Sequence, residues 1–246
     1  IHLGVYGHDL HPPSNLAAVL RTMHGIAGLA RIRLGSVDAP EIDGELVHTV
    51  AHYSKVCPHL HVPLQAGHDD VLRRMRRPYT LEEYRRVLSK VRERLPEVAI
   101  TTDIIVGFPG ETPAEFQGAL DFVREMGFSR LHVFRYSPRK GTAAARFPDQ
   151  VPSQTKSVRS HQMLQLGKEL SLSFHRRYLG RSVEVLWEES SIDEKGELWE
   201  GHTTTYVKVR AYRKQGEPGD IQRVIIEGAD EEGIWGKLVE DLPRQG

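Results

Sequence analysis

Short apolar runs alternate with amphipathic segments over the first two thirds of the chain. Five runs rich in apolar and β-branched residues predict strands at 1–6, 31–34, 60–64, 100–106 and 131–134. Between them, apolar positions recur every three or four residues, which predicts helices at 16–23, 42–53, 81–95 and 114–126. Repeated strand–helix units predict parallel strands with right-handed crossovers, as in a (β/α) barrel or an open doubly wound sheet.

The starts of two of these helices carry a specific local signal. Thr80 and Glu83, and likewise Thr112 and Glu115, have the spacing of a capping box, and Pro113 stands at a first helical position. Gly127 follows the last apolar residue of the second helix and predicts its end.

The periodicity changes near residue 180. A long helical segment over residues 153–178 precedes Gly180, and apolar residues then alternate every second position in several short runs. Turn-forming pairs such as Lys195-Gly196 separate these runs, which predicts a small all-β barrel, with one strand at 203–209. We therefore predict two domains, an α/β domain at 1–179 and a β-barrel domain at 180–246.

Composition narrows the class of protein. The chain has 246 residues, 39% hydrophobic and 27% charged, with no net charge and no apolar run long enough for a membrane span. The single cysteine, Cys57, excludes an internal disulfide and favours a reducing, cytoplasmic compartment. Residues 181–246 carry 9 Lys and Arg against 15 Asp and Glu, so the tail is acidic and the first part basic. Because the sequence opens at Ile1 within a predicted strand, we expect it to be a fragment.

Polar or glycine residues follow all five predicted strands, at 6–9, 36, 65–68, 107–111 and 136–139. In α/β folds with parallel strands, ligands bind at the carboxyl ends of the strands. The segment from Gly107 to Glu111 is the most informative, because its two glycines allow the backbone to approach a ligand closely before a helix begins. These strand ends predict a binding site, although polar loops without a function have the same composition.

Three further features leave alternatives open. Alternation places Cys57, His59 and His61 on one strand face, which suits either a metal or packed histidines, although a row of side chains rarely surrounds a tetrahedral ion. Asp103 lies within a strand and needs a partner, for which we expect an arginine or hydroxyl of a neighbouring strand. A basic turn suits either phosphate contact or a solvated surface, and it contains Arg73, Arg74, Arg76 and Arg77. No nucleophile elbow or P-loop occurs.

Several longer segments together resemble one family. They are the segments at 3–9, 31–36, 59–67, 72–80, 103–112 and 132–142, and the segment at 201–206 is similar to the TRAM module. In this order they resemble the carboxyl-terminal two-thirds of a radical S-adenosylmethionine tRNA methylthiotransferase. The sequence of residues 132–142 is most similar to the threonylcarbamoyladenosine branch. The branch acting on isopentenyladenosine and the branch acting on a ribosomal-protein aspartate are also similar and stay open as alternatives. The resemblance implies a TIM-like half-barrel with parallel strands, lacking its first strand and cluster loop, followed by a TRAM-like barrel.

The resemblance also implies a reaction. A methylthio group would be added to C2 of N6-threonylcarbamoyladenosine beside the tRNA anticodon, and a flavodoxin or ferredoxin would donate electrons. The cofactors implied are S-adenosylmethionine and two [4Fe–4S] clusters in the full-length enzyme. The cluster motif CxxxCxxC is absent here, so we expect this chain to ligate neither cluster and to be inactive alone.

The family's binding residues carry over to matching positions. The resemblance places S-adenosylmethionine near Asp9, Ser36, Gln65, Gly107, Phe108, Pro109, Gly110, Glu111, Tyr136 and Arg139. It assigns RNA contacts to Arg73, Arg74, Arg76, Arg77, Lys208 and Arg210. The alternatives are a non-catalytic RNA-binding protein on the same scaffold and a TIM-barrel metallohydrolase that uses His59 and His61.

Overall fold

The computed structural model describes residues 3–213 and 215–239. The chain divides into two compact units, Ile1–Gly167 and Lys168–Gly246. The division falls within one long helix, α6 (Ser153–Arg176). The domain boundary between residues 179 and 180 stays a prediction.

The first unit is built on a three-stranded parallel sheet in the order β1-β2-β3. Its strands are β1 (His59–His61), β2 (Ala99–Val106) and β3 (Arg130–Arg135). The register sets His61 opposite Thr101 and Asp103 opposite His132. Five helices complete the unit before α6: α1 (Leu16–His24), α2 (Gly44–His52), α3 (Asp69–Arg74), α4 (Leu81–Arg94) and α5 (Pro113–Met126).

One face of this sheet is covered by α4 and α5. Tyr84 of α4 is fully buried, its hydroxyl donates to the Val62 carbonyl at 2.7 Å, and its ring contacts Phe122 of α5 and Phe128. Burial raises the pKa of the Tyr84 hydroxyl well above its ordinary value. The opposite face carries polar side chains that are half-buried or exposed, so β1–β3 present a polar face away from the core.

The predicted helix ends are confirmed. In both α4 and α5 the threonine side chain accepts from the third helical amide, and the glutamate accepts from the threonine amide. Gly127 adopts a left-handed conformation with φ 56° and ends α5.

Three predicted strands are wrong. Leu3–Val5 form a 3-10 helix instead of a strand, and the Tyr6 amide donates to the Leu3 carbonyl at 3.1 Å; residues 1 and 2 lie outside the described part. At 31–34 only one bridge forms, between Ile32 and Val56. The strand predicted at 203–209 is divided by a turn in which Tyr206 has φ 63°. Each of these runs lacks the continuous backbone partner that a strand needs.

The second unit contains a closed barrel with the strand order β4-β5-β6-β8-β7. Its interior is filled by side chains with no exposed surface, Val185, Trp187, Val209, Val224 and Ile234. The predicted β-barrel is thus confirmed. Its strands are β4 (Ser182–Asp193), β5 (Gly196–Thr203), β6 (Lys208–Tyr212), β7 (Ile221–Ala229) and β8 (Ile234–Leu238).

Within the described residues, no helix is both long enough and apolar enough to span a membrane.

Candidate functional site

A cavity of about 480 Å³ lies at the carboxyl ends of β2 and β3. Gln65, Tyr136 and Arg139 line it, so the fold brings together three of the residues that the sequence assigned to ligand binding. Small-molecule sites usually enclose roughly 300–1,000 Å³. The remaining lining residues are Asp103, Ile105, Phe134, Arg135, Ser137, Thr142 and Ala144.

Gln65, which lines this cavity, has a backbone conformation that is rare for a residue other than glycine. Its φ is 69°, in the left-handed region, which costs a non-glycine residue on the order of 1 kcal/mol. Two hydrogen bonds hold it there: its amide donates to the Asp103 carbonyl and its carbonyl accepts from the Ile105 amide, both at 2.8 Å. Backbone strain maintained in this way is concentrated at functional sites.

The buried carboxylate of Glu111 stabilises the glycine-rich loop after β2. The Gly107 amide donates to Oε2 of Glu111 at 2.6 Å, and the Arg159 guanidinium of α6 donates to the same oxygen at 2.6 Å. Burial raises the pKa of Glu111, while the Gly107 amide and the Arg159 charge offset part of the rise. Glu111 therefore shapes the loop, and its predicted contact with a cofactor stays a prediction.

Gly107 has a second structural role. Its φ is +73°, and a Cβ added there would lie 2.5 Å from Cγ of Lys156. Pro109 is buried, and the Gly110 amide donates to the Asp149 carbonyl at 2.9 Å. The loop conformation thus depends on glycine at residue 107.

Aromatic side chains form the wall beside this loop. Phe108 is buried, and its ring meets Tyr136 edge-on with centroids 5.1 Å apart. The Tyr136 hydroxyl is buried and has no hydrogen-bond partner among the described residues. An unsatisfied buried hydroxyl costs about 1–3 kcal/mol. A polar ligand atom in the cavity would satisfy it, so the site fits a ligand that combines polar and apolar groups.

The four arginines of the basic turn differ in their contacts. Arg74 donates to both carboxylate oxygens of Glu115 at 2.9 Å, and Arg73 is paired with Asp70. Burial raises the pKa of Glu115, but Arg74 and the Thr112 groups outweigh burial and lower it to about 2.

The other two arginines of the turn, Arg76 and Arg77, line a second cavity of about 260 Å³ beside Phe108 and Tyr136. Neither has an ion-pair partner among the described residues. Only this half of the turn retains unpaired cationic groups.

Two predicted site residues lie elsewhere. Asp9 is exposed in the turn that follows the first 3-10 helix. Ser36 is exposed and forms an isolated backbone bridge with His61. Neither residue lines the 480 Å³ cavity. None of the predicted loop residues from Gly107 to Glu111 lines that cavity either, although Phe108 lines the smaller one.

The polar face of the sheet holds a cluster that the sequence reasoning missed. Nε2 of His61 lies 3.3 Å from Oδ1 of Asp103, and Nδ1 of His132 lies 3.2 Å from the same oxygen. Burial raises the pKa of Asp103, but the contacts with His132 and His61 outweigh it and hold the pKa below its ordinary value. The expected arginine or hydroxyl partner of Asp103 is therefore wrong, because its partners are imidazoles.

Of the two interpretations of the row Cys57, His59 and His61, the contacts in the structure favour packed and hydrogen-bonded histidines. Cys57 and His59 are buried, and Nε2 of His59 lies 3.3 Å from Oγ1 of Thr101. In the described part of the chain, His61 instead groups with residues of the two neighbouring strands. Alternation along all three strands is the sequence signal from which this cluster can be found.

In the barrel, the two predicted RNA-binding residues are engaged by carboxylates. Lys208 donates to Glu200 at 2.8 Å, and Arg210 is paired with Asp230. These ion pairs reduce the positive charge available to a phosphate at this surface.

Known proteins resemble this chain in sequence over most of its length. Residues 20–123 match the Radical SAM superfamily. The threonylcarbamoyladenosine tRNA methylthiotransferases of Thermotoga maritima and Bacillus subtilis are each 38% identical to the chain, over 95% and 98% of its length. The chain is thus similar to radical SAM tRNA methylthiotransferases over nearly its whole length. It spans about half the length of the curated relatives it matches, 52% and 54% for these two.

Relatives named for a different substrate are equally similar. The tRNA-2-methylthio-N6-dimethylallyladenosine synthase of Caldicellulosiruptor saccharolyticus is 40% identical over 81% of this chain and 42% of that protein. Sequence similarity therefore leaves the modified base open.

A solved structure supports the fold. Coproporphyrinogen III oxidase of Escherichia coli, a radical SAM enzyme, aligns with a TM-score of 0.50 and 19% identity, covering 77% of this chain and 50% of that one. The α/β expectation is thus confirmed at the level of a radical SAM fold.

Proposed function

We propose that this chain is the part of a tRNA methylthiotransferase that binds S-adenosylmethionine, in an enzyme that methylthiolates C2 of N6-threonylcarbamoyladenosine next to the anticodon. The observation that carries the proposal is the 480 Å³ cavity at the strand ends, lined by Gln65, Tyr136 and Arg139. The relatives' names support the reaction class, and the threonylcarbamoyladenosine enzymes match almost the whole chain.

The side chains of Gln65, Tyr136 and Arg139 each suit a different role in binding the cofactor. The amide of Gln65 and the unpartnered hydroxyl of Tyr136 would hydrogen-bond the cofactor's polar atoms, and Arg139 would bind its carboxylate. Phe108 would exclude water from the same side. Bound S-adenosylmethionine supplies the radical and the methyl group, while these residues orient it.

The iron–sulfur clusters do not fit on this chain. A [4Fe–4S] cluster at the motif CxxxCxxC needs three thiolates, and the sequence contains only Cys57, which is buried. We therefore infer that the two clusters of the complete enzyme are ligated outside residues 1–246. The chain would bind S-adenosylmethionine without cleaving it.

The remaining parts of the proposal concern partners. Arg76 and Arg77 would contact phosphates of the anticodon loop, since neither is neutralised by a carboxylate within the described residues. The β-barrel would be a TRAM-like module. A flavodoxin or ferredoxin would supply electrons, and the enzyme would act in the cytoplasm.

Cofactor binding is tested by calorimetric titration of residues 1–246 with S-adenosylmethionine. Tyr136→Phe and Gln65→Ala should each weaken binding about tenfold, the effect of one lost hydrogen bond. Tyr212→Phe is the matched control, because its hydroxyl is exposed and donates to Asp193 in the barrel. Equal affinities for wild type, Y136F and Y212F would contradict the proposal, as would a preparation of residues 1–246 that cleaves S-adenosylmethionine.

The RNA part is tested by the salt dependence of binding to an anticodon stem–loop. Arg76→Ala and Arg77→Ala should each reduce the slope of log affinity against log salt by about 1. Lys208→Ala should leave the slope nearly unchanged, because Glu200 already neutralises Lys208. The reverse pattern would assign RNA binding to the barrel.

A further inference from the structure

Three neighbouring strands place two imidazoles and a carboxylate at one point of the polar sheet face. One ligand atom from each of His61, Asp103 and His132 lies within 4.8 Å of the other two. We propose that His61, Asp103 and His132 form a binding site for one divalent transition-metal ion, of the Zn²⁺ or Fe²⁺ class. The site does not depend on the function proposed above.

The spacing of the donor atoms fits such an ion. A tetrahedral Zn²⁺ with bonds of about 2.0–2.1 Å separates its ligand atoms by roughly 3.3 Å. The two observed separations are 3.3 Å, from His61 to Asp103, and 3.2 Å, from His132 to Asp103. These two separations match the spacing that such an ion requires.

The ligands are held by rigid elements and by an outer contact. Asp103 and His132 are paired in register, and His61 lies opposite Thr101. Oγ1 of Thr101 contacts Nδ1 of His61 at 2.9 Å, which leaves Nε2 directed at Asp103. The rings of His61 and His132 are stacked, with centroids 5.4 Å apart. Outer contacts of this kind fix ring orientation and tautomer in metal sites.

The chemistry of the three ligand side chains and their exposure to solvent also fit a metal site. Two imidazoles and one carboxylate are ligands for Zn²⁺ and Fe²⁺, usually with a coordination position left open. The three side chains are 14%, 26% and 44% exposed, so an ion can reach them. Asp103 also lines the 480 Å³ cavity, towards which an open position would face.

Two other groups of potential ligands are weaker candidates for a metal site. His68, Asp70 and Glu115 also lie close together, but Arg74 occupies both oxygens of Glu115 and Arg73 is paired with Asp70. His48 and His52 are stacked on the exposed surface of α2 without a grouped carboxylate. This histidine pair provides a control for adventitious binding.

The test is a titration of metal-free residues 1–246 with Co²⁺, which gives visible absorption bands when bound by imidazole and carboxylate. We expect one equivalent to bind, Zn²⁺ to displace it, and Mg²⁺, which prefers oxygen ligands, to leave it in place. Asp103→Asn and His132→Gln should each abolish the one-equivalent binding. Thr101→Val, which removes the outer contact with His61 together with a longer contact with His59, should weaken it about tenfold.

The double variant H48Q/H52Q is the matched control and should bind Co²⁺ like the wild type. Circular dichroism of the metal-free variants establishes that each is folded. The proposal is overturned if the wild type binds no stoichiometric Co²⁺, if D103N and H132Q both retain it, or if H48Q/H52Q loses it. In the first case the cluster is a hydrogen-bonded network around Asp103 without an ion.

Discussion

The two units of the chain use their polar side chains differently. In the barrel, the cationic residues Lys208, Arg210 and Arg213 are each paired with a carboxylate of the same unit. In the first unit, the hydroxyl of Tyr136 and the guanidinium of Arg139 line a cavity without such a partner among the described residues. These three cationic side chains of the barrel are thus neutralised within it, whereas the first unit retains polar groups that can bind a ligand.

This difference can be measured because the two units carry different probes. All three tryptophans, Trp187, Trp199 and Trp235, lie in the second unit. Tryptophan fluorescence therefore follows unfolding of the barrel, while far-ultraviolet circular dichroism also follows the helices of the first unit.

The largest effect is expected for Arg159→Met. It leaves the carboxylate of Glu111 buried without its cation, and breaking a buried pair in this way costs about 3–5 kcal/mol. Urea unfolding followed by circular dichroism should show this loss, with little change in the fluorescence transition. The control Arg124→Met removes an exposed pair with Asp121 and should change stability by less than about 1 kcal/mol. Equal losses in both variants would show that the Glu111 pair does not hold the loop.

Gly107→Ala should lower the free energy of unfolding by about 2–3 kcal/mol, because it adds left-handed backbone strain and overpacking against Lys156. Gly28→Ala separates the two causes, since Gly28 has φ +77° but open space around its Cα. This control should lose only about 1 kcal/mol, the cost of strain. If the two variants lose the same amount in urea unfolding, the close approach to Lys156 has no energetic weight.

Glu115→Gln should reduce stability by about 2 kcal/mol at pH 7, because Arg74 loses a charged, two-point partner. The folded-state pKa of Glu115 is lowered to about 2 from an ordinary value of 4.5. Its contribution is therefore fully present above pH 4.5 and is lost as the pH falls towards 2. Stability curves of wild type and E115Q should converge over that range, and a difference that stays constant down to pH 2 would contradict this account.

Arg213→Met should have the smallest of the four effects, about 1–2 kcal/mol, and should act on the other unit. The guanidinium lies between the rings of Trp187 and Trp199, 5.3 and 4.6 Å from their centroids, and pairs with Asp220. Methionine keeps much of the packing but not the charge. The fluorescence transition should move to lower urea, and a shift seen only by circular dichroism would refute the separation between the units.

Much of the fold followed from local patterns. The apolar run at 100–106 became β2 (Ala99–Val106), and both capping boxes formed as predicted, since their hydrogen bonds join residues only three apart. The runs at 1–6 and 31–34 have similar composition but did not become strands. Strand formation needs a neighbouring backbone as well as a suitable sequence.

The candidate site was predicted only in part, because it too depends on which distant segments of the chain meet. Gln65, Tyr136 and Arg139, predicted from the carboxyl ends of parallel strands, lie around one cavity, and their contact with a ligand stays a prediction. Asp9, Ser36 and the loop Gly107 to Glu111 were predicted by the same rule and do not line that cavity. Charge patterning could not distinguish Arg74, held by Glu115, from Arg76 and Arg77, because the carboxylate comes from another element 41 residues away.

The amino-acid sequence decided the features that depend on neighbours in the chain: helix caps, the glycine turn after β2 and the alternation that builds the barrel. Tertiary structure decided which polar groups meet. His61 and His132 lie on different strands, and only the parallel register brings both to Asp103. Local preferences act through hydrogen bonds and torsion angles over a few residues, whereas burial, register and ion pairing depend on which distant segments the fold packs together.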